Sequence, residues 1–175
     1  MQNTANFMTI HWGYDTHAKH SNKSAGVAVS LRTDRFPANC FCKPLSPPPE
    51  LQGRGGLIRV KLPWIDIAIL VLYFAPSPHI MTNYRTNKLL QQWGIKVIGK
   101  LGNRCFLLLA TDANAKLGQP RGDAQHIDYS RYIGPNQPDL ENSNGILLRQ
   151  LSVDCSLMLA NTFVDLSPTF YSKYS

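Results

Sequence analysis

The sequence predicts an α+β domain, layered and with more strands than helices. Three observations carry that expectation. Short apolar segments rich in Val, Ile and Leu recur along the chain, two segments have helical spacing, and the connections between them are polar or rich in Pro and Gly. A length of 175 residues suits a single domain with a real core. With 43% hydrophobic and 17% charged residues, the chain should fold rather than stay disordered.

Taken in order, the N-terminal "MQNTANFMTIHWGYD" and the polar residues up to 23 read as an opening loop, with His11, His17 and His20 exposed rather than metal-bound. "SAGVAVSL" (24–31) is a small buried strand. Residues 37–56 form a Pro- and Gly-rich connection containing "SPPPE", a stiff loop. "LIRVKL" (57–62) alternates apolar and basic residues, as a half-buried strand does. Pro63 and Trp64 then turn the chain into "IDIAILVLY", a more fully buried strand, and the two segments suit a hairpin. From 82 to 101 the period changes. Leu90, Trp93, Val97 and Leu101 share one helical face, with Thr82 or Asn83 as the cap and Gly102 as the stop. Arg85, Lys88, Lys96 and Lys100 give this helix a solvated basic face. "CFLLLA" (105–110) is another buried strand, followed by a polar loop over 111–142. "NGILLRQLSVDC" is a helix opened by Asn142 or Asn144. "SLMLAN" (156–161) and "TFYS" (169–172) are strands. Trp12, Trp64 and Trp93 read as packing residues rather than base-stacking platforms.

The formal charge of +7 and the isoelectric point near 9.4 favour a polyanionic partner, nucleic acid first and an anionic membrane surface second. No CxxC pair suggests zinc, and the four cysteines read as reduced thiols with no disulfide-linked partner. No cationic start with an apolar block marks a signal peptide, and the apolar run around Asp66 is too short to span a bilayer. These features point to an intracellular protein without a membrane role.

The chemistry concentrates at "LLLATDANAKLG". Asp112 and Asn114 follow an apolar run, and in an extended backbone their side chains would point the same way. A carboxylate there can take a proton from water, and a carboxamide can hold the water or a phosphate oxygen. On spacing alone the pair serves a turn equally well, and that is the commoner use.

The order of segments adds more. "LVLYFAPSP" runs from a strand into Ala-Pro, "LLLATDANAKLG" follows after one helix, and then come "ENSNGILLRQL" and "LMLANTFVDLSPTFYS". This series resembles the endonuclease/exonuclease/phosphatase superfamily, most closely the endonuclease domains of non-LTR retrotransposons. There a strand ends in Tyr-Ala-Pro, followed by Gly-Asp-Phe-Asn-Ala, Asn-Gly before a helix, Asn-Thr-Phe and Thr-Trp. The resemblance spans roughly residues 26–172. It implies a four-layer α/β/β/α sandwich with the site at one end, and Mg²⁺- or Mn²⁺-dependent hydrolysis of DNA phosphodiesters, in the nucleus ahead of the cytoplasm. It implies that Asp112 orients or deprotonates the attacking water, that Asn114 holds water or a phosphate oxygen, and that Tyr73 donates to the scissile phosphate. Arg121, in the loop after Asn114, is a candidate phosphate contact.

The chain departs from the pattern in three places. Thr111 and Ala113 replace the family's Gly and Phe. "YFAP" has one residue more than Tyr-Ala-Pro, so either a bulge keeps Tyr73 in the role or Phe74 takes that place. The family's metal-binding Glu and its terminal Asp and Asp-His pair have no counterparts. Glu50 sits in the Pro-rich loop, and His126 and Asp128 sit in the long polar loop. The expectation is therefore one endonuclease-like domain over 1–175, truncated at both ends. The alternatives are a non-catalytic nucleic-acid-binding remnant and a phosphatase of the same fold acting on small phosphoesters.

Overall fold

A computed structural model of the chain describes residues 2–4, 6–13, 26–76, 81–117, 131–135 and 141–164. It is a mixed α+β arrangement with two three-stranded sheets and two long helices. The first sheet has the order β1 (Gln2–Thr4), β2 (Phe7–Gly13), β3 (Gly26–Arg32), all antiparallel. The second has the order β4 (Gly55–Leu62), β5 (Ile65–Tyr73), β6 (Phe106–Asp112). Helix α1 (Met81–Ile98) crosses between β5 and β6, and α2 (Ser143–Asp154) lies beside α1.

The second sheet is the middle layer. Alternation along its strands sends Leu57, Ala68, Leu70 and Leu72 to the helices and Ile58, Val60, Ile69 and Val71 to the first sheet. The helix-side core also takes Leu90 and Val97 from α1 and Leu147, Leu148 and Leu151 from α2. The sheet-side core takes Met8, Ile10, Trp12 and Val29. Antiparallel β4 and β5 make the expected hairpin, with Arg59 donating to Asp66 at 2.7 and 2.5 Å across the ladder. Parallel strands need a crossover, and α1 supplies it between β5 and β6.

The two sheets close together over Gly56. A Cβ on that residue would sit inside the indole of Trp12, so only glycine admits the ring. Gly55, one residue earlier, faces the other way, where a Cβ would meet Trp93 at 3.1 Å.

Several expectations are corrected. The opening segment is not a loop, because Met8, Ile10 and Trp12 alternate inward and make β2, leaving His11 exposed. The 24–31 strand is mostly part-exposed where described, with Val29 its one buried residue. Trp64 is 77% exposed at the hairpin tip, unlike Trp12 and Trp93. Thr82 and Asn83 lie inside α1 rather than capping it, and Asn83 instead donates to the Pro76 carbonyl. The helix ends at Ile98, yet Leu90, Trp93, Val97 and Leu101 do meet the core, and Arg85, Lys88, Lys96 and Lys100 are exposed. The strand at β6 is only half buried. Leu107 and Leu109 face the helices, while Phe106 and Leu108 face outward at 66% and 57% exposure. Segment 156–161 is not a strand. It makes a single bridge from Leu159 to Ile133, then a short 3-10 turn at Ala160–Thr162. The expected strand at 169–172 lies outside the described residues. In the 37–56 connection, Phe41 and Leu45 bridge to Val60 and Leu57, and Gly55 and Gly56 already belong to β4.

Candidate functional site

Because β5 and β6 are parallel, their carboxyl ends fall together, and Tyr73 stands opposite Asp112. Partners in register share a face, and Val71, two residues before Tyr73, faces the first sheet. Tyr73 and Asp112 therefore lie on that same side. A third residue joins the row. Gly55 pairs with Leu72, and the Tyr73 amide donates to the Arg54 carbonyl at 2.7 Å, which puts Arg54 beside Tyr73. The Arg54 guanidinium stands over the Tyr73 ring, 5.7 Å from its centroid, at cation–π range. The row thus reads Arg54, Tyr73, Asp112 across the end of the middle sheet.

The register shows how the extra residue in "YFAP" is accommodated. The β5–β6 ladder runs unbroken from Ile67↔Phe106 to Tyr73↔Asp112, so no bulge is involved. Phe74 turns the other way and is fully buried in the helix-side core. Tyr73 keeps the face that Asp112 shares.

Asn114 behaves differently from the expectation of parallel side chains. The extended backbone ends at Asp112, and Asn114 has φ 44°, a left-handed conformation that Asn tolerates better than most residues. Its amide N–H donates to the Asp112 Oδ1 at 3.3 Å, and its Nδ2 donates to the Phe74 carbonyl at 2.9 Å. The Asp–Asn pair does build a turn, and that turn straps the end of β6 back to β5. Asp112 itself is exposed. The Asn114 Oδ1 accepts no hydrogen bond among the described residues.

Beneath the turn lies a polar network that sequence reasoning missed. Asn87 and Asn144 are fully buried. The Asn87 Oδ1 accepts from the Ala75 amide, and its Nδ2 donates to the Ala75 carbonyl and to the Asn144 Oδ1, each at 2.9 Å. Asn144 Nδ2 donates to the carbonyls of Ala75 and Ala113, both at 2.9 Å. One residue from each helix therefore holds the loops at the ends of β5 and β6. Asn142 is the cap of α2, its Oδ1 accepting from Gly145 at 2.8 Å and from the Lys116 amide at 3.0 Å. Gly145 has no room for a Cβ, because the Lys116 carbonyl occupies that place. This explains an Asn-Gly pair at the helix start. A signal was present in the sequence: Asn87 and Gln91 sit on the apolar stripe of α1, where a polar side chain requires a partner. Gln91 finds one in the Leu147 carbonyl at 2.9 Å.

Arg121, His126 and Asp128 lie outside the described residues, as do His17 and His20. Glu50 is exposed on a 3-10 turn and has no place in the row. A cavity of about 400 Å³ opens at the end of β2 between His11, Trp12, Ser46, Gln52 and Gly53. Burial pushes the thiols of Cys40, Cys105 and Cys155 above their ordinary range, which makes them poor nucleophiles.

Among the described residues no three His, Cys, Asp or Glu side chains come together as a metal-holding group. The row contributes one carboxylate, Asp112. Mg²⁺ usually takes one or two carboxylates plus water and substrate oxygens. Asp112 alone is a minimal donor set and does not define such a site. No helix among the described residues is long and apolar enough to cross a membrane. Comparison of the chain with protein-family models, curated proteins and solved structures finds no match.

Proposed function

We propose that this chain is an endonuclease-like phosphodiester hydrolase of retroelement origin, with DNA as its substrate and Mg²⁺ or Mn²⁺ as its cofactor. The observation that carries the reading is the shared face of Tyr73 and Asp112 at the paired carboxyl ends of two parallel strands, with Asn114 strapped one turn beyond. The exposed Asp112 carboxylate can orient a water or accept its proton, and the Tyr73 hydroxyl can donate to a phosphate oxygen. The buried asparagines below hold both loops in place, and such catalysis depends mainly on positioning. A bound metal ion would supply charge neutralisation at the phosphate, and its ligands are not assigned to residues of this chain. A DNA substrate favours a nuclear protein. The complete four-layer form of this fold would add a helical layer over the first sheet.

The second reading is a nucleic-acid-binding domain without catalysis. The exposed Arg85, Lys88 and Lys96 on α1, Lys100 just beyond it and the single carboxylate of the row favour it. A phosphatase acting on small phosphoesters would use the same row.

Nicking of supercoiled plasmid by the full chain, with and without Mg²⁺, separates these readings. The hydrolase should nick only with metal, and Asp112→Asn should remove nicking while changing folding stability by less than about 0.5 kcal/mol, as at most exposed positions. Nicking at the parental rate in Asp112→Asn sinks the catalytic assignment. Absence of nicking together with duplex binding that falls steeply with salt supports the binding domain.

A further inference from the structure

Among the described residues two arginines are more than nine-tenths buried, Arg54 and Arg149, each at 6% exposure. They are treated very differently. Arg149 pairs with the buried Glu141. Arg54 has no carboxylate among the described residues, where the ion pairs are Arg32–Asp34, Arg59–Asp66 and Arg149–Glu141. Its Nη1 is buried with no hydrogen-bond partner. Among the described residues, the one side-chain contact of the guanidinium is the face of the Tyr73 ring.

A guanidinium stays charged at any pH a protein meets, so it cannot escape burial by losing its proton. An unpaired buried charge is strongly unfavourable, and a ring face compensates only part of that. Its location gives the missing partner a chemistry. Arg54 opens the row that continues through Tyr73 to Asp112. Two strand spacings, roughly 10 Å, separate its backbone from that of Asp112. The guanidinium turns onto the Tyr73 ring instead of reaching across it, and no ion pair with Asp112 forms.

We infer that Arg54 is an oxyanion-binding residue, and that its counter-ion is a phosphate group seated over Tyr73. The planar fork suits two oxygens of one phosphate, and the cation–π contact with the ring holds the guanidinium beside Tyr73 before the anion arrives. The Tyr73 hydroxyl, on the same side, can serve a third oxygen. Asp112 repels anions from the far end of the row, so a single phosphate is favoured over a dianionic pair. The choice of a phosphodiester over free phosphate rests on the hydrolase reading above, while the oxyanion site itself does not.

The test is thermal unfolding of the full chain in potassium phosphate against potassium chloride at equal ionic strength, and then with the dinucleotide thymidylyl-thymidine, whose single phosphodiester carries its only charge. Binding to the native state raises the midpoint with ligand concentration. Phosphate also stabilises proteins generally by exclusion, so the readout is the difference between the parent and Arg54→Met. Arg54→Met should weaken the apparent phosphate affinity by at least about tenfold, and Arg54→Lys should fall in between, because it keeps the charge but not the fork. A phosphate response in Arg54→Met equal to that of the parent overturns the proposal. If Arg54→Met does not unfold cooperatively, phosphate titration of the unaltered chain should move the Arg54 Nε–Hε resonance, and an unmoved resonance overturns it equally. A response to the dinucleotide matching that to phosphate supports the phosphodiester as ligand. A response to phosphate alone supports the oxyanion site with free phosphate as its ligand. Plasmid nicking is a separate result. Arg54-dependent phosphate binding without nicking retires the hydrolase and keeps the site, and nicking with a phosphate response indifferent to Arg54 does the reverse.

Discussion

The two sides of the β5–β6 ends are built on opposite terms. On the helix side, both the oxygen and the nitrogen of the Asn87 and Asn144 amides are engaged, and the loops after the strands hang from them. The buried charge on that side, Arg149, has its carboxylate. On the side toward the first sheet, Arg54 is buried with no anion among the described residues, Tyr73 is half buried and Asp112 is open to solvent. Buried polar groups are normally satisfied. The helix side obeys that rule at its asparagines and its buried charge, with the Thr111 hydroxyl as an exception, and the other side departs from it at a buried charge, as a site awaiting a ligand does.

Substitutions can break this contrast, and the largest effect is expected on the helix side. Glu141→Gln takes a carboxylate charge from beside the buried Arg149, and should destabilise the chain by about 3–5 kcal/mol. Urea denaturation of the variant reads this directly, and a change below about 1 kcal/mol would put the pair in the class of surface bridges. Asn144→Ala strips partners from the Ala75 and Ala113 carbonyls and from Asn87. It should cost roughly 3 kcal/mol, with amide exchange accelerated in the loops after β5 and β6 but not in β2. Uniform acceleration throughout the chain would mean that the asparagines stabilise the domain without specifically holding the loops.

A smaller effect in the opposite direction tests the same rule within β6. Thr111 faces the helices, and its buried Oγ1 has no hydrogen-bond partner. Thr111→Val removes the unsatisfied hydroxyl with little change of shape, and should raise stability by about 1 kcal/mol. A loss of stability would mean that the hydroxyl is served by a bound water.

The smallest effect sits at the hairpin end of the middle sheet, away from the contrast, and serves as its control. Hydrogen bonding to Arg59 holds the Asp66 carboxyl below its ordinary value of 3.8. Its contribution to stability is therefore fully present above the unfolded carboxylate range and is lost as pH falls through the lower folded value. Asp66→Asn should flatten the acid side of the stability profile while leaving the neutral response to phosphate unchanged. An altered phosphate response would show that the two ends of the sheet are coupled.

The sequence made the middle sheet and the helices legible because their signals are dense. A nine-residue strand in β5, apolar apart from Asp66, and a four-residue stripe in α1 leave little choice of structure. The strand at β2 was hidden because Thr, His and Gly interleave with Met8, Ile10 and Trp12, and the polar half of an alternating strand resembles a loop. Segment 156–161 failed for the reverse reason, since among the described residues this apolar run finds a single bridge and no partner strand to make a ladder with. At the candidate site, spacing located Asp112 and Tyr73 but misplaced the direction of Asn114, which depends on a single left-handed residue that no periodicity reports. Arg54 was invisible because it lies in a Gly-rich stretch, and only the hairpin register brings it beside Tyr73.

The contact between Trp12 and Gly56 has a consequence for how this chain can change over generations. The indole fills a space that exists only because residue 56 lacks a side chain. Neither position is free to drift alone. Any larger residue at 56 should be deleterious while Trp12 stands and tolerable once a smaller residue has replaced it. Trp12→Ala leaves a void that only enlargement at 56 can refill. A double-mutant cycle on Trp12→Ala and Gly56→Ala should show the second change harmful in one background and beneficial in the other. That reversal of sign makes the pair a joint heritable unit in descendants of this sequence.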